Sequence, residues 1–100
     1  MDKKLFKKIQ EIHGYNCVMC GGNKLVEYHH IIHGNGKRKQ CETEYSVIPL
    51  CWNCHKGTSG VHGKNGRELD LKLKRWLQKM YFKLGYTEVK VRELMGGKLY

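Results

Sequence analysis

Three histidines fall within eight residues in the stretch EYHHIIHG, positions 27–34, and a fourth, His55, directly follows a CxxC pair. A neutral imidazole binds divalent metals and takes up a proton near physiological pH, so such a cluster serves metal binding, proton transfer or packing. Consecutive strand residues face opposite sides, so His29 and His30 are not expected to be buried in one core. The sharper signal lies around them. Cys17-Val-Met-Cys20 and Cys51-Trp-Asn-Cys54 are two CxxC pairs with 30 residues between Cys20 and Cys51. Each such turn points two thiolates at one centre, and two turns complete a tetrahedral all-cysteine zinc site that leaves no position for water. A closed site of this kind is structural. Two disulfides or a redox CxxC are the alternatives. A reducing compartment disfavours the first, and a redox motif would occur once, near a βαβ pattern. With Cys51 and Cys54 on the metal, the start of the next helix is fixed, and His55 is presented at a set offset from the strands.

The elements that must hold these residues follow from the apolar pattern. Asp2 caps a short helix over 2–13, where Leu5, Ile9 and Ile12 repeat at helical spacing beside Phe6, and Gly14 suits its end. His13 reads as a helix-end residue. YNCVMCGGNK forms a tight knuckle, and a strand is expected from about Leu25 to Ile32. HGNGKRKQCETEY reads as a polar, basic loop, with His33 a loop residue and Cys41 a free thiol within it. SVIPL is a second strand, in which Pro49 suits an edge or an end. A short helix opens near Trp52. The clearest helix runs from about Gly66 to Leu84, with Leu69, Leu73, Trp76, Leu77, Met80 and Leu84 on one face. Lys72, Arg75, Lys79 and Lys83 fall on its other faces, either solvated or in contact with phosphates. Thr87 caps a last helix in EVKVRELM, although EVKVRE also alternates as a strand would.

One hundred residues make one domain, 1–100, whose core is small enough to need a staple such as a structural metal. The 19 Lys+Arg against 9 Asp+Glu leave a net charge of +10, which points to a polyanion: nucleic acid first, an anionic membrane surface second. The bland alternative is a basic protein with no such partner. No apolar run is long enough to span a membrane, and MDKKLFKKIQEIHG is too charged for a signal peptide, so a cytoplasmic location is expected.

The combination of EYHHI, a β-turn-β span and SVIPLCWNCH resembles the HNH endonucleases, the ββα-metal group, in the form whose members carry two CxxC pairs around the core. The resemblance covers about residues 17–62, with helical flanks at 2–13 and 66–95. It implies an α+β fold: a small ββα-metal core with a four-cysteine zinc site on two knuckles, an N-terminal helix and a long C-terminal amphipathic helix. It also implies roles. His30 matches the general base that takes a proton from the attacking water. His29 and His55 match ligands of a catalytic divalent ion, Mg²⁺ or another. Glu27 matches a position where some members carry an acidic group behind the ligands, against the reading of an ordinary strand carboxylate. Two positions depart from the pattern. Ser46 stands nine residues before His55, where the family has the asparagine that braces the ββ loop, so the letters read H-S-H. Ser59 stands one helical turn after His55, where many members carry a further His or Asn, and His62, in VHG, is the candidate to replace it, against a surface-loop histidine. A serine hydroxyl is expected to make one bracing bond and not the two-ended bridge of an amide.

The resemblance implies a metal-dependent DNA endonuclease or nickase, of a type found in phages and mobile elements, acting on duplex or structured DNA with weak sequence preference. Lys37, Arg38 and Lys39 lie between the strands, and Lys56, Lys64 and Arg67 follow the histidine helix; all six are candidates for phosphate contacts, which give affinity without reading sequence. The alternative is a non-catalytic zinc-ribbon protein that binds nucleic acid or acts as an adaptor. It explains the cysteines and the charge but not the coincidence of His29, His30 and His55 with catalytic positions.

Overall fold

One short hairpin supplies Ile48, Leu50 and Cys51 to a core that the later helices share through Leu73, Leu77, Tyr81 and Val91. The computed structural model describes residues 2–34, 36–57, 60–64 and 66–100, with Arg38 described in its backbone alone. Strand β1, Val26–His30, and strand β2, Val47–Cys51, form a two-stranded antiparallel sheet in which Glu27 faces Leu50, Tyr28 faces Pro49 and His29 faces Ile48. All five residues of β2 are buried. Pro49 sits in the middle of β2 and not at its end. The N–H of Ile31 donates to the Ser46 carbonyl at 2.8 Å. Alternation from that bonded pair puts Tyr28 and Pro49 in a non-hydrogen-bonded pair, where a missing N–H costs the ladder nothing.

Helix α1, Lys3–His13, begins where the Asp2 carboxylate accepts from the Leu5 N–H at 2.8 Å and stops at Gly14, whose φ of 77° suits glycine. It packs on the hairpin through Phe6, 4.8 Å from the Tyr28 ring, and through fully buried Ile9. His13 does more than end the helix, since its Nε2 lies 3.1 Å from the Glu44 carbonyl and ties α1 to the segment before β2.

The span between the strands is not all loop. Helix α2, Lys37–Gln40, makes a single turn there, entered through Gly36 at φ 78°. Cys41 after it is no loop thiol: it is 3% exposed, joins the core, and its Sγ reaches toward the Glu93 carbonyl. Burial pushes its thiol pKa up.

Helix α3, Trp52–Lys56, follows β2 without a break. Helix α4, Arg67–Lys83, closes the core through Leu73, Leu77 and Tyr81. The apolar stripe expected of it is rotated: Trp76 is 39% and Leu84 48% exposed, while Tyr81 is buried and its hydroxyl bonds the Thr43 hydroxyl at 2.6 Å. Helix α5, Glu88–Leu94, takes the helical of the two alternatives, because Thr87 caps it and Val91 and Met95, four residues apart, are both buried. The result is a small mixed α/β fold. No helix among the described residues is long and apolar enough to cross a membrane.

Candidate metal centres

The first centre forms where two turns meet. In the knuckle, the Gly21 N–H donates to the Cys17 carbonyl at 2.8 Å, and the Cys17 N–H to the Gly22 carbonyl at 2.9 Å. Cys51 ends β2 and Cys54 lies in α3. The Sγ atoms of Cys17, Cys20, Cys51 and Cys54 all lie within 4.8 Å of one another. Cys20 and Cys51 are 3.6 Å apart at sulfur, far beyond a disulfide bond. Tetrahedral zinc with Zn–S of ~2.3 Å sets its sulfurs about 3.8 Å apart, so the donor set fits that ion. Electrostatics agree. Burial raises the Cys17 thiol, yet the backbone N–H groups of Cys51, Cys20 and Met19 outweigh it and bring the pKa to about 6. Burial and hydrogen bonds with the other thiols hold Cys54 far above the usual thiol range. Four sulfurs so close together ionise as a set only around a cation.

The second centre is built from a strand, a helix and the turn that follows it. His29 stands on β1, His55 on α3, and His62 on the segment after α3. Their ring nitrogens lie within 4.8 Å of one another, and the ring centroids are 4.7–5.1 Å apart. α3 ends at Lys56, earlier than Gly60, and the chain then folds back on it. The Val61 N–H donates to the Cys54 carbonyl at 2.9 Å and the His62 N–H to the His55 carbonyl at 2.7 Å. These bonds satisfy helix-end carbonyls that otherwise lack partners. Only glycine permits this return. A Cβ on Gly60 would meet the Asn53 carbonyl oxygen at 2.6 Å, and one on Gly66 would meet the Gly60 carbonyl oxygen at 2.1 Å. Gly66→Ala is therefore expected to displace His62, to cost roughly 1–3 kcal/mol of stability, and to weaken cobalt binding at the histidines while the cysteine centre keeps its zinc. A cobalt titration followed by absorbance, with zinc content measured in parallel, checks it.

His29 is 2% exposed, and its Nε2 is buried without a hydrogen-bond partner among the described residues. Such an orphan costs about 1–3 kcal/mol unless something meets its lone pair. Burial, with His55, His62 and His33 nearby, lowers the His29 pKa to about 3, so it remains a neutral ligand. His55 places Nδ1 3.0 Å from a Glu27 oxygen, while Lys56 Nζ is 3.3 Å from the other. The hydrogen bond to His55 lowers the Glu27 pKa against a smaller burial penalty, so the carboxylate accepts and His55 turns its Nε2 lone pair outward. A divalent ion fits these three imidazoles. No carboxylate oxygen joins the group among the described residues. Neutral imidazoles suit zinc, nickel, copper or iron, whereas magnesium and manganese prefer oxygen, so the donor set does not support Mg²⁺.

A cleft of about 300 Å³ opens over this centre, lined by Tyr28, the imidazoles of His29, His30, His33, His55 and His62, and Lys56. His29 and His30 thus share one cleft, despite strand alternation, because β1 ends at His30 and the chain bends there. His30 Nε2 is hydrogen-bonded to a Glu42 carboxylate oxygen. His33 lines the cleft as well, its Nε2 3.2 Å from Asp70, which pairs with Lys74 at 2.8 Å. Glu42 and Asp70 were not legible as partners; they stand 12 and 37 residues from the histidines they hold.

Ser46 lies outside the cleft lining and braces the ββ loop. Its Oγ accepts from the Thr43 N–H at 2.8 Å and donates to the Cys41 carbonyl at 2.9 Å. The expectation of a single bond is corrected: a hydroxyl that accepts and donates at once bridges both ends. Ser46→Ala should cost about 1–3 kcal/mol, because it leaves a buried N–H and carbonyl short of a partner; a melting curve superimposable on that of the unaltered protein would refute this. Among the six cations offered as DNA contacts, Lys56 lines the cleft. Lys37, Lys39, Lys64 and Arg67 are exposed away from its lining, and the side chain of Arg38 and all of Ser59 lie outside the described residues. Comparison of the chain with family models, with curated proteins and with solved structures gives no match.

Proposed function

We propose that this protein is a metal-dependent DNA endonuclease or nickase of the HNH type, its hairpin and α3 forming a ββα-metal core stapled by zinc. The observation that carries the proposal is the meeting of His29, His55 and His62 in one cleft with His30, which is held by a carboxylate.

A divalent ion on the three imidazoles would supply Lewis-acid stabilisation of the charge that builds on phosphorus and on the leaving oxygen. The chain's own groups do the rest. Glu42, accepting from His30 Nε2, selects the tautomer whose lone pair is on Nδ1. His30 is the residue that accepts the proton of the attacking water, and the Glu42 carboxylate stabilises the imidazolium that results. Glu27 orients His55 and steadies Lys56 at the rim, where an ammonium faces the approaching phosphodiester. The bracing of the ββ loop by Ser46 keeps Glu42, four residues before it, in reach of His30. The exposed cations beyond the cleft supply salt-sensitive, sequence-independent affinity.

The test is conversion of supercoiled plasmid to nicked or linear DNA with Mn²⁺, Ni²⁺, Zn²⁺, Co²⁺ or Mg²⁺ and without added ion, zinc content being measured alongside. Cutting that requires a divalent ion supports the proposal. No cutting of plasmid, linear duplex or branched DNA under any of these ions would transfer the chain to the non-catalytic zinc-ribbon class.

A further inference from the structure

α4 carries a second surface, on the side turned away from the core. Trp76, 39% exposed, stands at its centre. The outward face forms a groove of about 660 Å³ lined by Glu68, Leu71, Lys72, Arg75, Trp76 and Lys79. The histidine cleft shares none of these residues. Three cations face one acid, and none of the three makes an ion pair among the described residues, the pair within α4 being Lys74 with Asp70. Here an exposed indole stands among those cations. This one is also supported from behind: its ring lies 5.9 Å from the His13 ring, and its other flank borders a smaller apolar hollow shared with Val18 and Met19 of the cysteine knuckle.

We propose that this face binds a single-stranded segment of nucleic acid, an unpaired base stacking on Trp76 and the flanking phosphates pairing with Lys72, Arg75 and Lys79. Charge complementarity selects the occupant, since the chain is +10 overall and the groove is cationic. So does the spacing. Lys72 is one helical turn before the indole and Lys79 one turn after it, so cations stand on both sides of a stacked base, about 10 Å apart along the axis. Aromatic stacking between phosphate contacts is how single strands are held without regard to sequence. A duplex offers this groove its phosphates only, because its bases are already stacked. The inference goes beyond the proposed cutting activity and does not need it.

The experiment measures binding of a fluorescent thymidine 12-mer and of a matched 12-base-pair duplex by anisotropy, with no divalent ion added, together with quenching of intrinsic tryptophan emission. Trp76→Ala should weaken single-strand binding by roughly tenfold and change duplex binding by less than about twofold, whereas Trp76→Phe should retain most of the affinity. Trp52→Phe, which removes the other tryptophan, should leave the quenching in place. Changing Lys72, Arg75 and Lys79 together to glutamine should lower the slope of log K against log salt by about 2. A Trp76→Ala protein with an unaltered circular dichroism spectrum that binds the 12-mer like the parent would overturn the proposal. So would equal losses for single strand and duplex, or a variant whose only change is loss of self-association, which would make the face a contact with a second copy. No step of the assay involves cleavage, so a protein that never cuts DNA is judged by it just as well.

Discussion

His30→Ala is expected to slow DNA nicking by ~10²–10⁴-fold, the range over which a positioned general base acts, with little change in folding. The imidazole bonded to Glu42 sits at the end of β1, outside the group His29, His55 and His62. Removing it leaves all seven candidate ligands in place. Glu42 is partly solvated, so losing its partner leaves no fully buried charge behind. The variant should therefore keep its zinc, its melting temperature within a few degrees and its affinity for duplex, and lose the chemical step. Glu42→Gln offers a companion measurement: an amide can still face His30 but does not stabilise the imidazolium, so the rate should fall by less than in His30→Ala. If His30→Ala nicks plasmid as fast as the parent protein, His30 is not the base. If cutting disappears together with zinc content and the thermal transition, the residue is structural.

The second large effect is expected from Cys51→Ser. Cys51 is the joint of the structure. It ends β2, precedes α3 directly, and pairs across the sheet with Val26. Its sulfur also holds the knuckle through the four-cysteine group. A structural zinc contributes on the order of 10–16 kcal/mol to the folding of small domains, comparable to or above the ~5–15 kcal/mol of a whole domain's stability. Loss of one ligand should therefore abolish the cooperative thermal transition or lower its midpoint by more than about 15 °C, and zinc should fall from one equivalent to near none. Stripping zinc from the parent protein with a strong chelator should give the same melting curve. Cys41→Ser serves as the control, being buried but outside the four-sulfur group: it should lose some stability and keep its zinc. A Cys51→Ser protein that melts like the parent would remove the structural metal from the account.

The two centres differ in how far they could be seen in advance. The cysteine ligands come as two pairs, each made by a turn whose geometry is local, so their spacing alone proposed a shared ion, and the four sulfurs do lie together. Helix α1 was equally legible, from one cap, one apolar stripe and one terminal glycine. His62 was a weaker signal. Its arrival depends on a close backbone return onto α3 that Gly60 and Gly66 permit, and spacing from His55 does not encode that return. The rotation of the α4 stripe, from Trp76 and Leu84 toward Tyr81, brings the Tyr81 hydroxyl to Thr43, a partner in a distant segment.

What the amino-acid order determined unaided was whatever one or two turns of backbone can enforce: the cysteine pairs, the helix caps, the β-prone character around His29 and His30, and the cationic surplus. What only the tertiary structure decided was who meets whom across long stretches of chain: Glu42 with His30, Asp70 with His33, Cys41 beneath α5, and three imidazoles from a strand, a helix and a turn in one cleft. The physical reason is that local preferences act through sterics and hydrogen bonds between near neighbours. Contacts between distant residues are set by how a small core, with a buried β2 at its centre, packs its helices at the lowest cost in exposed apolar surface and unpaired polar groups.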